Sequence, residues 1–190
     1  MSGTESSLSE AFGAQRAGFF GATRHDRIER LPPGRGAAVL ELDCGTGATG
    51  AMALKSGRCA MWVGVETNAA AANEALYALS EVHVGDIESL DLPYPPKTFD
   101  VVFVGDRIMA FAKPKAVLAK LANLLKPGGW LFASAEADPL PVRLAPRKIG
   151  KVLRRAGLGA IRVRAFSGGQ KPRLFQRRVY ARLDIQARKV

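Results

Sequence analysis

Residues 39–50, Val39-Leu40-Glu41-Leu42-Asp43-Cys44-Gly45-Thr46-Gly47-Ala48-Thr49-Gly50, contain the pattern that decides the fold. A mostly apolar run leads into a turn with the glycine spacing G-x-G-x-x-G, and a helix-compatible segment, Ala48–Ser56, follows. Glycines allow the backbone to come close to a ligand, and the N–H groups at the start of a helix attract anionic or polar groups. The pattern therefore predicts a buried strand, a tight turn and a helix that together hold a nucleotide-like cofactor.

An acid at the end of the next predicted strand strengthens this interpretation. The strand is Met61–Glu66, and Glu66 lies 19 residues after Gly47. A carboxylate at this place can accept hydrogen bonds from both hydroxyls of a ribose. From these residues alone, a solvated acid at a strand end and an NAD-binding turn both remain alternatives.

Strand and helix patterns alternate along the rest of the chain, which favours a parallel sheet with helices on both faces. The predicted strands are Ala37–Asp43, Met61–Glu66, Val82–Val84, Asp100–Val104, Trp130–Ala133, Ala160–Phe166 and Arg178–Ile185. The predicted helices are Ala48–Ser56, Asn68–Leu79 with Asn68 as its N-cap, Lys115–Leu125 and Arg147–Arg155. The last two strands have no helix between them, so we expect them to pair antiparallel at one edge. The fold class is a doubly wound α/β domain with a mostly parallel, seven-stranded sheet and an antiparallel last strand.

The chain divides into an N-terminal segment, residues 1–35, and a main domain, residues 36–190. A short leading helix is predicted at Glu10–Phe20. Arg24–Arg35, which contains Pro32-Pro33-Gly34, is predicted to be a linker into the main domain.

Composition excludes several classes of protein. The chain has 190 residues, of which 47% are hydrophobic and 24% charged, as in ordinary globular domains. No apolar run approaches the roughly 18–20 residues that span a bilayer, and the N-terminus lacks the features of a secretory signal. Two cysteines, Cys44 and Cys59, cannot form a disulfide framework or a zinc site by themselves. We therefore expect free thiols, no metal site and a cytoplasmic location.

Charge is distributed unevenly along the chain. Residues 143–190 carry 15 lysines and arginines and one acid, Asp184, whereas residues 1–142 are net acidic. Such asymmetry marks either a surface for nucleic acid or another anionic partner, or a solvated arginine-rich face.

Together these segments resemble the class I S-adenosylmethionine (SAM)-dependent methyltransferases, of the small-molecule, type 11-like kind. Residues 39–47 resemble the first motif of that family, and Gly85-Asp86-Ile87-Glu88 resembles the third. Phe99-Asp100-Val101-Val102-Phe103 is similar to the fourth strand, which lines the reaction centre, and Leu125-Lys126-Pro127-Gly128-Gly129 to the turn before the fifth. The resemblance extends over residues 36–135 and implies a Rossmann-like methyltransferase fold.

The resemblance also implies roles for individual residues, with SAM as cofactor and S-adenosylhomocysteine (SAH) as product. Glu41 organises the loop around the methionine part of SAM, and Glu66 bonds the ribose. Asp86 bonds the adenine amino group, and Ile87 covers the adenine ring. The other positions implied to bind the cofactor are Asp43, Cys44, Gly45, Thr46, Gly47, Thr67 and Gly105.

Two departures from the family pattern stand out. Relatives usually have glycine at the position of Asp43, so here a side chain and a charge enter the motif; the charge either favours the SAM cation or crowds the loop. Many relatives follow the fourth strand with a Glu-His pair, where this chain has Gly105-Asp106-Arg107. By position, Asp106 is the candidate general base, with a simple loop or cap acid as the alternative.

The function that these observations favour is methyl transfer from SAM to a small-molecule acceptor, such as a saccharide or other metabolite. One alternative is a nucleic-acid methyltransferase or binder that uses the basic residues 143–190. Another is a non-catalytic SAM-binding protein, which Asp43 and the missing acid-base pair would suit. An NAD-dependent oxidoreductase is the least favoured, and the sequence leaves the acceptor and the oligomeric state open.

Overall fold

The computed structural model describes residues 23–105, 108, 111–136, 146–166 and 182–190. Within these ranges the helices are α1 (His25–Glu29), α2 (Ala48–Lys55), α3 (Ala69–Ala75), α4 (Pro114–Leu124) and α5 (Pro146–Arg155). The strands are β1 (Ala38–Leu42), β2 (Met61–Glu66), β3 (Glu81–Val84), β4 (Phe99–Phe103), β5 (Leu125–Glu136), β6 (Leu158–Phe166) and β7 (Arg182–Lys189). No described helix has the length and apolar character needed to cross a bilayer.

The seven strands form one sheet in the order β3-β2-β1-β4-β5-β7-β6. The five strands from β3 to β5 run parallel, and β7 is antiparallel to both β5 and β6. This arrangement confirms the predicted doubly wound fold with an antiparallel last strand. The chain order reverses between β1 and β4, and in open α/β sheets ligands bind at the carboxyl ends of the strands at such a switch point.

Both faces of the sheet are covered, as the apolar central strands require. Every residue of β1 is buried, and Val39 and Leu40 have no exposed surface. One face packs against α4 and α5 through residues such as Leu121 and Leu153. The opposite face packs against α2 and α3 around Trp62. The two-sided core fixes the carboxyl ends of β1, β2 and β4 beside one another.

Most predicted elements are present, and several of their limits are corrected. Asn68 caps α3 as predicted, accepting hydrogen bonds from the backbone N–H groups of Ala70 and Ala71, but the helix itself ends at Ala75. The linker predicted over residues 24–35 contains α1, which places Arg27 against the buried Glu41. The leading helix predicted at Glu10–Phe20 lies outside the described residues.

Strand β5 begins earlier than predicted. Leu125 already pairs with Phe99, and Trp130 pairs with Val101. The register shifts between these two pairs, and the extra residues on β5 include Pro127-Gly128-Gly129. A bulge accommodates proline, which cannot donate to the ladder. Strand β7 ends at Lys189 instead of Ile185, and residues 178–181 of that prediction lie outside the described ranges.

Candidate functional site

The turn after β1 has a left-handed backbone at three positions. The φ angle is +53° at Asp43, +57° at Gly45 and +80° at Gly47. The Gly47 N–H closes the turn with a 3.0 Å hydrogen bond to the Cys44 carbonyl, and α2 begins directly afterwards. Thr46 lies partly exposed between the two glycines. Because residues with a side chain rarely adopt this backbone, the conformation accounts for the glycines.

Asp43 occupies a conformation for which glycine is the usual choice. At φ +53° most side chains collide with the following carbonyl, whereas Asp and Asn tolerate this region better than other residues. Asp is therefore one of the few residue types with a side chain that suit this backbone position.

Glu66 holds the turn from the neighbouring strand. Its side chain is buried, with 2% of the residue exposed. One carboxylate oxygen accepts a 2.9 Å hydrogen bond from the Gly45 N–H, and the other accepts one of 2.8 Å from the Asn68 N–H. The hydroxyl of exposed Thr67 donates a 3.4 Å hydrogen bond to the second oxygen. A carboxylate has about four acceptor sites, so these bonds leave capacity for further donors.

Glu41 is buried one strand away, also with 2% of the residue exposed. The guanidinium of Arg27 forms an ion pair with one carboxylate oxygen, and the Trp62 indole N–H donates a 2.8 Å hydrogen bond to the other. Burial raises the pKa of Glu41, while the Arg27 charge and the Trp62 hydrogen bond act in the opposite direction. Glu41 thus connects α1, β1 and β2 immediately below the glycine turn.

Arg27 is the residue of this site that the sequence motifs did not indicate. Its guanidinium lies 5.6 Å from the centre of the Phe103 ring, an attractive cation–π arrangement. It also faces Gly105, where a Cβ atom would lie 3.4 Å from an Arg27 nitrogen. The available signal was indirect: a buried acid such as Glu41 needs a cation, and the nearby Arg-rich segment offers Arg24, Arg27 and Arg30.

The loop after β3 reaches the same edge. After β3, the Gly85 N–H donates a 2.9 Å hydrogen bond to the Glu66 carbonyl, and the Glu88 N–H donates one of 2.9 Å to the Asp86 side chain. Ile87, the residue predicted to cover the adenine ring, follows Asp86 in this loop; it is 2% exposed and packs against the hydrophobic core.

The thiol of Cys44 is part of the packing. A Cβ atom on Gly64 would come within 2.5 Å of the Cys44 sulfur. The Cys44 side chain therefore packs directly against the backbone of β2 at Gly64. Burial raises the pKa of the Cys44 thiol, and the charges of Glu41 and Glu66 act in the same direction. A buried, protonated thiol is inert. The backbone of Cys44 is what contributes to the turn.

The acceptor side of the site is only partly described. The proposed base, Asp106, lies outside the described residues. Gly105, at φ +51°, lies just after the end of β4 and borders a small crevice of about 20 Å³ that also touches Arg27, Phe103 and Ser134. The described residues contain no group of three or more His, Cys, Asp or Glu side chains that could hold a metal ion.

These features together fit a bound nucleoside-type cofactor. Glycines with positive φ stand at the carboxyl ends of β1, β3 and β4, as Gly45, Gly47, Gly85 and Gly105. The resulting edge has few side chains, so a ligand can contact the backbone at the switch point of the sheet. Buried carboxylates at Glu41 and Glu66 hold this edge in place.

Comparisons with known proteins agree with this geometry. The family model described as a methyltransferase domain matches residues 40–133. Demethylmenaquinone methyltransferase of Corynebacterium kroppenstedtii is 30% identical over 112 residues, which are 59% of this chain and 47% of that protein. The chain spans from 38% to 55% of the length of the curated relatives that it matches.

Solved structures share the fold. A SAM-dependent methyltransferase from Thermotoga maritima aligns with a TM-score of 0.62 and 18% identity, covering 98% of this chain and 96% of its own. Haemonchus contortus phosphoethanolamine N-methyltransferase 2, in complex with SAM, aligns with a TM-score of 0.67 and 16% identity over 85% of this chain and 51% of its own.

Proposed function

Since the chain belongs to the class I SAM-dependent methyltransferases, we propose that it transfers a methyl group from SAM to a small-molecule acceptor. The observation that supports this proposal best is the glycine turn held by Glu66, whose carboxylate receives the Gly45 N–H at 2.9 Å. The turn stands at the switch point of the sheet, where ligands of α/β domains bind.

The described residues have defined tasks under this proposal. Glu66 uses its remaining acceptor capacity for the ribose hydroxyls, and Asp86 bonds the adenine amino group beside Ile87. The backbone of Cys44, Gly45, Thr46 and Gly47, with Asp43 in the left-handed position, forms the floor of the site. Glu41 supports this floor through Arg27 and Trp62 instead of contacting the ligand directly. Thr67 and Gly105 line the ribose end and the reacting end.

The chemistry that SAM supplies when bound is an activated methyl group, so the protein needs no nucleophile of its own. Alignment of two reactants contributes on the order of 7–11 kcal/mol to such a displacement. Gly105, without a side chain at the end of β4, allows an acceptor to approach closely. Where the acceptor loses a proton on methylation, Asp106 is the proposed base.

Calorimetry with SAH tests the cofactor site without knowledge of the acceptor. We expect saturable binding of SAH and none of NAD at the same concentration. Transfer of labelled methyl from SAM to a panel of small hydroxyl, amine and carboxylate compounds then tests the reaction. Absence of SAH binding to the folded protein would refute the proposal.

A nucleic-acid acceptor is the second candidate, favoured by the excess of basic residues over positions 143–190. Electrostatic binding to phosphates weakens steeply as salt is added. A gel shift with single-stranded RNA at low salt tests this alternative, and absence of a shift would exclude it. The non-catalytic alternative, a SAM-binding protein without turnover, predicts that SAH binds but that no methyl group is transferred.

A further inference from the structure

A second cavity lies on the face of the sheet formed by β5, β7 and β6. Its volume is about 370 Å³, within the range of small-molecule sites and far larger than the crevice beside Gly105. The residues that line it are Arg30, Trp130, Phe132, Arg162, Arg164, Asp184, Ile185 and Gln186. None of the motifs discussed above includes this cavity.

The register of the sheet arranges its central residues in a row. Phe132 on β5 pairs with Gln186 on β7, which pairs in turn with Arg162 on β6. Side chains of directly paired residues point to the same face, about 5 Å apart between neighbouring strands. Arg30, just after α1, places its guanidinium 5.4 Å from the centre of the Phe132 ring. The Arg30 guanidinium therefore lies at the Phe132 end of this row, and Arg162 stands at the other end, on the far side of Gln186.

The charges of the cavity are unbalanced. Among the described residues, three arginines and one acid line it, and the acid, Asp184, pairs in the sheet with Arg164. In the part of the chain that the structure describes, neither Arg162 nor Arg164 forms an ion pair, and Arg30 reaches only Asp26, at 3.8 Å. The positive charge is thus concentrated at the Arg30–Arg162 end of the cavity.

The cavity adjoins the crevice beside Gly105. The two share Arg30, Phe132 and Asp184 as lining residues, and the crevice also borders Arg27. The Arg30–Arg162 row therefore lies close to the residues that follow β4.

We propose that this cavity binds an oxyanion group, a carboxylate or a phosphate monoester, carried by the methyl acceptor at a distance from the reacting atom. The proposal rests on the proposed function for the identity of the ligand as an acceptor. Guanidinium groups recognise such oxyanions through paired N–H donors, and Gln186 adds an amide donor between them. The half-buried Trp130 and the buried Phe132, whose ring lies under the Arg30 guanidinium, add apolar surface to the wall of the cavity.

Binding of 2-naphthoate, 2-naphthyl phosphate and neutral 2-naphthamide to the full chain tests the proposal. We expect one or both of the anions to bind measurably and the amide to bind at least tenfold more weakly. Arg30→Gln and Arg162→Gln should each weaken binding of the anion by about tenfold or more, because a hydrogen bond to a charged group is lost. Arg154→Gln is the matched control, since exposed Arg154 lies on α5 against the other face.

The outcomes separate this proposal from the function on which it rests. Equal binding of amide and anions, or unchanged binding in both arginine variants, would overturn the proposal even if SAH binds normally. Displacement of the anions by a single-stranded RNA decamer at equal charge concentration would assign the cavity to a polyanion and also overturn it. Failure of SAH to bind, with the naphthyl anions bound as expected, would instead refute the proposed function.

Discussion

Replacement of Arg27 by methionine isolates the buried ion pair beneath the glycine turn. Only 2% of Glu41 and 9% of Arg27 are exposed, so the change leaves an ionised carboxylate buried without its counter-charge. Breaking a buried pair in this way costs about 3–5 kcal/mol of unfolding free energy. For a domain of this size, each kcal/mol lowers the melting temperature by roughly 2–4 °C. We therefore expect Arg27→Met to melt roughly 6–20 °C below the wild type.

The pH dependence of this loss has a definite sign. Without Arg27, the pKa of Glu41 in the folded protein lies further above its value in the unfolded chain. A raised folded-state pKa favours folding below the unfolded value and loses that benefit as pH rises through the folded value. The deficit of Arg27→Met should therefore shrink toward acidic pH, where Glu41 is protonated, and be largest at neutral and alkaline pH.

Denaturant unfolding followed by circular dichroism at several pH values measures both effects. Arg30→Met on the same segment is the control, since the exposed ion pair of Arg30 with Asp26 and its cation–π contact with Phe132 are each worth at most about 1 kcal/mol. The double variant Arg27→Met with Glu41→Gln removes both charges and should recover part of the loss. A deficit of less than about 1 kcal/mol, or one that does not change with pH, would refute the reasoning.

Three further predictions concern the turn and its supports. Glu66→Ala should weaken SAH binding about a hundredfold or more, because two hydrogen bonds to a charged group are lost. An unchanged affinity for SAH, measured by calorimetry, would contradict the role of Glu66. Asp43→Gly should change the free energy of unfolding by no more than about 0.5 kcal/mol, whereas Asp43→Ala should lower it by roughly 1–2 kcal/mol, because alanine is strained at φ +53°. Equal stability of the two variants in urea unfolding would contradict the left-handed conformation of this residue. Gly50→Ala should destabilise the domain by about 1–3 kcal/mol, since the new Cβ would lie 2.5 Å from the Trp62 ring; an unchanged melting temperature would show that the ring can move.

The alternation of apolar runs and glycine turns was sufficient to predict the sheet and its antiparallel end. Strands such as β4 are buried on both faces, and burial on both faces requires a continuous apolar run such as Val101–Val104. The start of β5 was less accessible, because its first residues pair across a bulge that contains Pro127. Sequence rules treat proline and glycine as the end of a helix and do not indicate that pairing resumes at once.

The parts of the site that could be predicted are those formed by residues close together in the sequence. Gly45, Gly47 and the acid at Glu66 follow from spacing along the chain, because the turn and the strand ends are formed by nearby residues. The ion pair of Arg27 with Glu41 depends on where α1 packs. From the sequence alone, Arg24 and Arg30 were equally good candidates for the partner of Glu41. The same holds for the row formed by Phe132, Gln186 and Arg162, which depends on the register of three strands.

The order of the last two strands has a consequence for how the domain assembles. Strand β7 follows β6 in the chain but lies between β5 and β6 in the sheet. Strand β6 therefore has no partner for its backbone groups until β7 has crossed back and paired with β5. The loop closure that brings β7 to β5 must therefore precede the contacts that hold β6 in the sheet. We expect this edge to be the last part of the sheet to acquire protection from hydrogen exchange during refolding, and the cavity between β5 and β6 to form only at that final step.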